Sequence, residues 1–162
     1  MMPHIATGLL LCFLCAPQVL AGDDSSVKGS ELPGFMAASA AVDAFFQAMR
    51  AEDLDALMET VDVPWFHDGK KIVESKDELQ TQFGGLLQAK DFSTIKATVK
   101  QVQAFGPLRD QASGQSGELL KKMAHDSDLF FHLEIALGEK SDGMILLVRV
   151  DDGKAKVIGL RD

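Results

Sequence analysis

The chain has 162 residues, a one-domain length, of which 46% are hydrophobic and 25% charged, with a formal net charge of -8. An acidic surface disfavours nonspecific nucleic-acid binding, which needs Lys and Arg on phosphate, and disfavours docking on an anionic membrane. There is no Tyr, so a phenolic acid or hydrogen-bond donor is excluded from any mechanism.

Read from the N-terminus, the first charged side chain is Asp23. Before it, Ile5 to Leu14 form an apolar run of signal-peptide length, and Val19-Leu20-Ala21 fits a cleavage site after Ala21. The competing reading, a transmembrane anchor, meets a run too short to span a bilayer and interrupted by Pro17. Residues 1–21 are therefore expected to be a signal peptide. The mature protein is expected to be exported, to the periplasm or outside the cell, and free of the membrane. Both cysteines, Cys12 and Cys15, fall inside this segment. The mature chain would have no thiol nucleophile, thiolate metal site or disulfide, and its fold must rest on an ordinary core. Residues 22–35 are polar and rich in Gly and Ser, which reads as a linker. The domain is expected from 36 to 162.

Val42, Phe45, Phe46 and Met49 follow the i, i+3, i+4, i+7 spacing of one helix face, predicting a helix over 36–50. Leu54, Leu57, Met58 and Val61 repeat that spacing, giving a second short helix over 53–60, with Pro64 as its stop. Residues 63–66 and 71–74 read as short strands around an Asp68-Gly69 turn. Ser75 is placed to cap a third helix, with Glu78 completing a capping box. Leu79, Phe83, Leu86 and Leu87 share a face of that helix, while Gly84-Gly85 weakens it and marks a close approach by another element.

After Lys90 the period changes to two. Ile95, Ala97 and Val99 alternate with polar residues, and Gly106-Pro107 ends that strand. Residues 108–126 are polar, with a short helix indicated over 118–124. Leu129, Phe131, Leu133, Ile135 and Leu137 then line one face of a long strand. Residues 144–150 form another strand, apolar on both faces. Asp152-Gly153 marks a second hairpin turn before a last strand over 155–160. Helices clustered early and strands clustered late predict an α+β fold, a curved antiparallel sheet wrapped around the N-terminal helices.

In this order of elements, and locally in AVDAFFQAMRAEDLDALMETV (41–61) with its acidic break Ala51-Glu52-Asp53, the chain resembles the nuclear transport factor 2-like (NTF2-like) superfamily, also described as SnoaL-like or cystatin-like. The resemblance implies a cone-like α+β fold. It does not choose among the isomerases, cyclases, dehydratases and dimerisation modules that share the scaffold. The steroid isomerase arrangement, a Tyr beside carboxylic acids, has no counterpart here for want of Tyr. Asp62 lies near the end of the second helix, where such members keep a general base.

Two clusters carry candidate chemistry. Trp65, His67 and Asp68 bring an aromatic, a base and a carboxylate together, but Asp68 is needed for the turn; the preferred reading is that Trp65 packs while His67-Asp68 decorate an exposed hairpin. His132 and Glu134 share a strand face, with Arg149 on the same sheet. They read either as the polar spot of a cavity or as a solvated face. The candidate pocket set is Asp62, Trp65, His67, His132, Glu134 and Arg149. A metal site needs converging ligands, and His67, His125 and His132 are scattered without HxH or HExxH spacing, so neither metal nor cofactor is expected. Lys70-Lys71 and Lys121-Lys122 are too small for a nucleic-acid patch. Two functions follow. One is a non-catalytic module holding a small apolar ligand or a protein partner. The other is a small lyase or isomerase using a His/carboxylate pair. The two-faced apolar strand over 144–150 also predicts a homodimer through the sheet, unless residues 108–126 cover that face instead.

Overall fold

The computed structural model describes residues 27–162. The expected signal peptide and the first part of the expected linker, residues 22–26, lie outside the described residues; the rest of that linker is tied to the domain, with Lys28 bridged to Gln101 and Phe35 already in the first helix. Helix α1 spans Phe35–Ala51 and buries Val42, Phe45, Phe46 and Met49, the four residues of the predicted face. Glu52 at φ 53° turns the chain sharply out of α1. Asp53 then caps α2 (Leu54–Thr60), its carboxylate accepting from Ala56 N at 3.0 Å.

Strand β1 (Val61–His67) follows α2 without a break, so Asp62 belongs to a strand rather than a helix end. Pro64 lies inside this strand, after a cis Val63-Pro64 peptide. Proline cannot donate to a ladder. The pairing accommodates it: the register with β6 shifts between Val61 and Phe66, and pairing with β2 (Lys71–Val73) begins only at Trp65. Asp68 and Gly69 take φ values of 48° and 68°, as a type I′ turn requires. Ser75 caps α3 (Lys76–Ala89) by accepting from Glu78 N at 3.4 Å. The reciprocal half of the expected capping box is replaced. Glu78 Oε1 instead accepts from Lys71 Nζ and Gln82 Nε2, both at 3.0 Å, because a cationic donor outcompetes a neutral backbone N–H. Of the paired glycines, Gly84 faces α2 through Leu54, whereas Gly85 faces nothing within 4 Å.

Four further strands complete one six-stranded sheet in the order β2-β1-β6-β5-β4-β3. They are β3 (Lys96–Ala104), β4 (Leu129–Leu137), β5 (Lys140–Asp151) and β6 (Lys154–Arg161). Neighbours pair antiparallel except β1 and β6, which run parallel. A helix connection is what a parallel pair requires, but here the whole β2–β5 excursion separates the two strands. A bulge after Val99 in β3 resets the alternation, so that Val102 rejoins the face begun by Ile95, Ala97 and Val99.

The helices α1, α2 and α3 cover the inner face of the sheet. There Phe45 meets Phe46 and Phe83 edge-on at ring centroid distances of 5.3 and 6.1 Å, Trp65 meets Phe83 at 5.3 Å, and Phe35 stacks on Phe131 at 6.1 Å. The outer face carries a second apolar cluster built on Phe66, Phe130, Leu147 and Ile158. Its cover is the segment that sequence pattern reads as mostly polar. A 3-10 turn (Gly106–Gln111) and α4 (Gly114–Met123) lay Phe105, Leu108, Leu120 and Met123 onto the sheet. Leu147 is 1% exposed beneath this strap, so the apolar outer face is buried within one chain and needs no second copy to cover it.

Candidate functional site

Two adjacent cross-strand rows build the outer face. Gln101, His132, Ile145 and Arg161 pair in register from β3 to β6. Gln103, Phe130, Leu147, Gly159 and Phe66 form the next row, from β3 to β1. Side chains in such rows stand side by side about 4.8 Å apart. The first row is polar at both ends; the second is apolar from Phe130 onward. Gly159 is required in the second row: a Cβ there would lie 2.6 Å from Phe66 Cβ and 2.9 Å from its carbonyl oxygen.

Between these rows and the strap lies a cavity of about 230 Å³. Its floor is Phe130, Leu147, Gly159 and Ile145, and its roof is Phe105, Leu108, Ala112 and Leu120. The polar groups that reach it are Gln103, Gln111, His132 and Arg161. His132 Nε2 lies 3.0 Å from Gln103 Oε1. A carbonyl oxygen accepts, so Nε2 carries the hydrogen, Nδ1 is left as an acceptor, and the Gln103 amide N–H₂ remains a donor. Burial holds the His132 pKa below the ordinary histidine value, so the ring is neutral at pH 7.

The roof is fixed by two guanidinium clamps on the C-terminal end of α4. Arg149, on β5, makes a bidentate pair with the fully buried Asp128, at 3.1 Å to Oδ1 and 2.8 Å to Oδ2, and donates to Met123 O at 2.8 Å. Asp128 Oδ2 also accepts from His125 N at 2.8 Å. Arg109 binds Asp126 at 2.6 Å, donates to Ala124 O at 2.9 Å and lies over the Phe105 ring at 4.8 Å. The last carbonyls of a helix lack intrahelical partners, and cations satisfy them well.

The six residues singled out by sequence therefore separate into different places. His132 lines the outer cavity. Arg149 lies on the same face but is committed to Asp128. Glu134, one polar position along from His132, points to solvent, where Lys100 at 2.7 Å and Ser141 at 3.2 Å hold its pKa below the ordinary value. Asp62 pairs with Lys76 at 3.3 Å and accepts from Val63 N. Trp65 is 1% exposed in the inner core. Trp65 and His67 border a separate cleft against α3, of about 370 Å³, whose Lys71 is already engaged by Glu78. Asp68 is taken up by its turn neighbour Lys70, with which it forms an ion pair; this contact, then Asp162, holds its pKa low.

Sequence reading missed Gln103, Ile145, Gly159 and Arg161. Their common signal is the outward set of each strand, readable only once the register is known. Leu119, Leu120 and Met123 did carry a usable sign, a helical spacing within a polar segment. Among the described residues no group of three His, Cys, Asp or Glu side chains is placed to hold a metal. No described helix is long and apolar enough to cross a membrane.

No family model matches the chain, and no curated protein matches it. Solved structures do. A substituted variant of Rd1NTF2_05 superposes with a TM-score of 0.51 at 16% identity, over 76% of this chain and 94% of that one. A protein of unknown function with a cystatin-like fold from Nostoc punctiforme gives 0.49 at 15% identity, over 78% and 86%. An LEH-like epoxide hydrolase from M. tuberculosis gives 0.45 at 14% identity, over 78% and 77%. Identities this low speak to fold and not to chemistry. Helices packed against a six-stranded mixed sheet, together with the Rd1NTF2_05 match, give the chain an NTF2-like α+β fold.

Proposed function

We propose that this chain is an exported, non-catalytic module that holds a small, mainly apolar ligand in the outer-face cavity. The observation that carries the reading is the cavity itself: an apolar floor and roof with a few polar groups at its border, the composition of small-molecule sites. On the inner face, by contrast, Trp65, Phe45, Phe46 and Phe83 are buried against one another. Export rests on the apolar run of residues 5–14 and the Val19-Leu20-Ala21 site, and N-terminal sequencing of secreted material starting at Gly22 is its check.

The His/carboxylate alternative finds little support in the side chains. His132 is bonded to an amide, and no histidine side chain pairs with a carboxylate among the described residues. Asp128 and Glu134, the carboxylates flanking His132 on the chain, are held by Arg149 and Lys100. A general base must lie within hydrogen-bond reach of the proton it takes and needs a partner that stabilises its charged form. An amide oxygen stabilises the imidazolium less than a carboxylate does.

Burying on the order of 200 Å² of apolar ligand surface contributes about 5 kcal/mol before ordering costs, so the dissociation constant is no tighter than roughly 0.2 mM. Solvent extraction and mass spectrometry of the purified protein should recover a small amphipathic compound. In heteronuclear NMR, added 1-octanol should shift Phe130, Ile145 and Leu147 amides. Shifts confined to the α3 cleft, or none at millimolar ligand, would remove this reading.

A further inference from the structure

The cavity has an asymmetry in its charges. Arg50 donates to Ile95 O, Arg109 to Asp126 and Ala124 O, and Arg149 to Asp128 and Met123 O. Arg161 lines the cavity and has no hydrogen-bonded or ion-paired partner among the described residues. It stands two strand positions from His132, with Ile145 between them, so about 10 Å separates the cavity's two polar ends. The His132 end is neutral, and the Arg161 end carries a guanidinium cation.

We propose that the ligand is a monocarboxylate amphiphile, its headgroup at Arg161 and its apolar body over Ile145, Leu147 and Phe130. This rests on the reading of the cavity as a ligand site. Size sets the body: a cavity of about 150 Å³ accepts benzene, so this one takes roughly nine heavy atoms. Charge sets the head. One unpartnered guanidinium, planar and two-pronged, matches one carboxylate. A dianion such as a phosphate monoester would leave a charge uncompensated on a protein of net charge -8. Lys100, beside the first row on β3, is already held by Glu134 at 2.7 Å. A cationic head would face Arg161 directly and is disfavoured. At the far end the Gln103 amide N–H₂ and His132 Nδ1 offer a donor and an acceptor, so a second, neutral polar group on the tail is tolerated there.

Arg161 is exposed, so solvent screens its pull, and an exposed ion pair changes affinity by about fivefold at most. The test is calorimetric titration of the full chain with octanoate, 1-octanol and octylammonium, which share one apolar body. Octanoate is expected to bind about fivefold tighter than 1-octanol, with octylammonium weakest. The preference should shrink as salt rises from about 0.02 to 0.5 M. Arg161→Gln should abolish the preference of octanoate over 1-octanol, whichever way the 1-octanol affinity itself moves. Equal binding of octanoate and 1-octanol to the wild type, or a preference that survives Arg161→Gln, overturns the carboxylate assignment and leaves the cavity as a ligand site. Failure of all three probes to bind at millimolar concentration overturns both.

Discussion

The two faces of the sheet use the same strands to opposite ends. On the inner face, α1, α2 and α3 bring aromatic rings into edge contact beneath the helices, with a cleft only at the α3 edge. On the outer face, a short strap stands over apolar strands and leaves about 230 Å³ unfilled. The inner face is secured by area; the outer one by two arginines that hold the end of α4. A packed core tolerates no emptiness without loss of contacts. A roof anchored electrostatically at one end can span a gap, which is how a fold of this size keeps a stable core and a cavity together.

If that contrast is right, damage to the inner face is the most costly. Phe45→Ala removes a ring that is 2% exposed and touches both Phe46 and Phe83, and it should cost about 4 kcal/mol in urea unfolding. Outer-face probe binding should survive under conditions where the variant stays folded. A cost below about 1 kcal/mol would mean that the inner face is not close-packed.

The clamp comes next. Asp128→Ala leaves Arg149 buried without a counter-ion and should cost about 3 kcal/mol. Its signature is local: amides of α4 should lose hydrogen-exchange protection first, with α1 unaffected. Because both residues act through one pair, Arg149→Met combined with Asp128→Ala should be less damaging than the sum of the two single changes. Strict additivity would separate the pair from the roof. Gly159→Ala is smaller, at about 2 kcal/mol, since its Cβ meets Phe66 at 2.6 Å and β1 must shift away from β6. A neutral Gly159→Ala would show that the β1–β6 pairing yields easily.

The difference between the faces also explains what could be read from sequence. The inner face was legible because its signals are local: Val42, Phe45, Phe46 and Met49 are one helix stripe, and Leu129, Phe131, Leu133 and Ile135 one strand stripe. Both hairpin turns were legible because Asp-Gly permits positive φ at 68–69 and 152–153. The parallel pairing of β1 with β6 was not, since it joins residues almost a hundred positions apart. Nor was the site. His132 is recognisable as polar within an apolar strand, but Gln103, Ile145 and Arg161 join it only through the registers of β3, β5 and β6. Residues 108–126 read as a polar segment with a short helix over 118–124, because the strap presents one narrow apolar edge, Leu108, Ala112, Leu120 and Met123, and leaves the rest to water.

The mildest way to sharpen the comparison is pH. On the inner face no histidine among the described residues is buried with the aromatic rings; on the outer face His132 is half-buried beside Gln103, and its pKa is depressed by burial. The unfolded chain therefore binds a proton on this ring at a pH where the folded chain does not. Stability rises with pH wherever the unfolded state holds more protons. The contribution of His132 is thus fully present above about pH 6.5 and is lost as pH falls from there through the lower folded value. Carboxylates titrate over an overlapping range, so the informative quantity is a difference. His132→Gln keeps a polar side chain next to Gln103 and removes the titration. Between pH 7 and 5, the urea midpoint of the wild type should fall more than that of His132→Gln. Parallel midpoint curves for the two proteins would place His132 in water, and with it the polar end of the cavity.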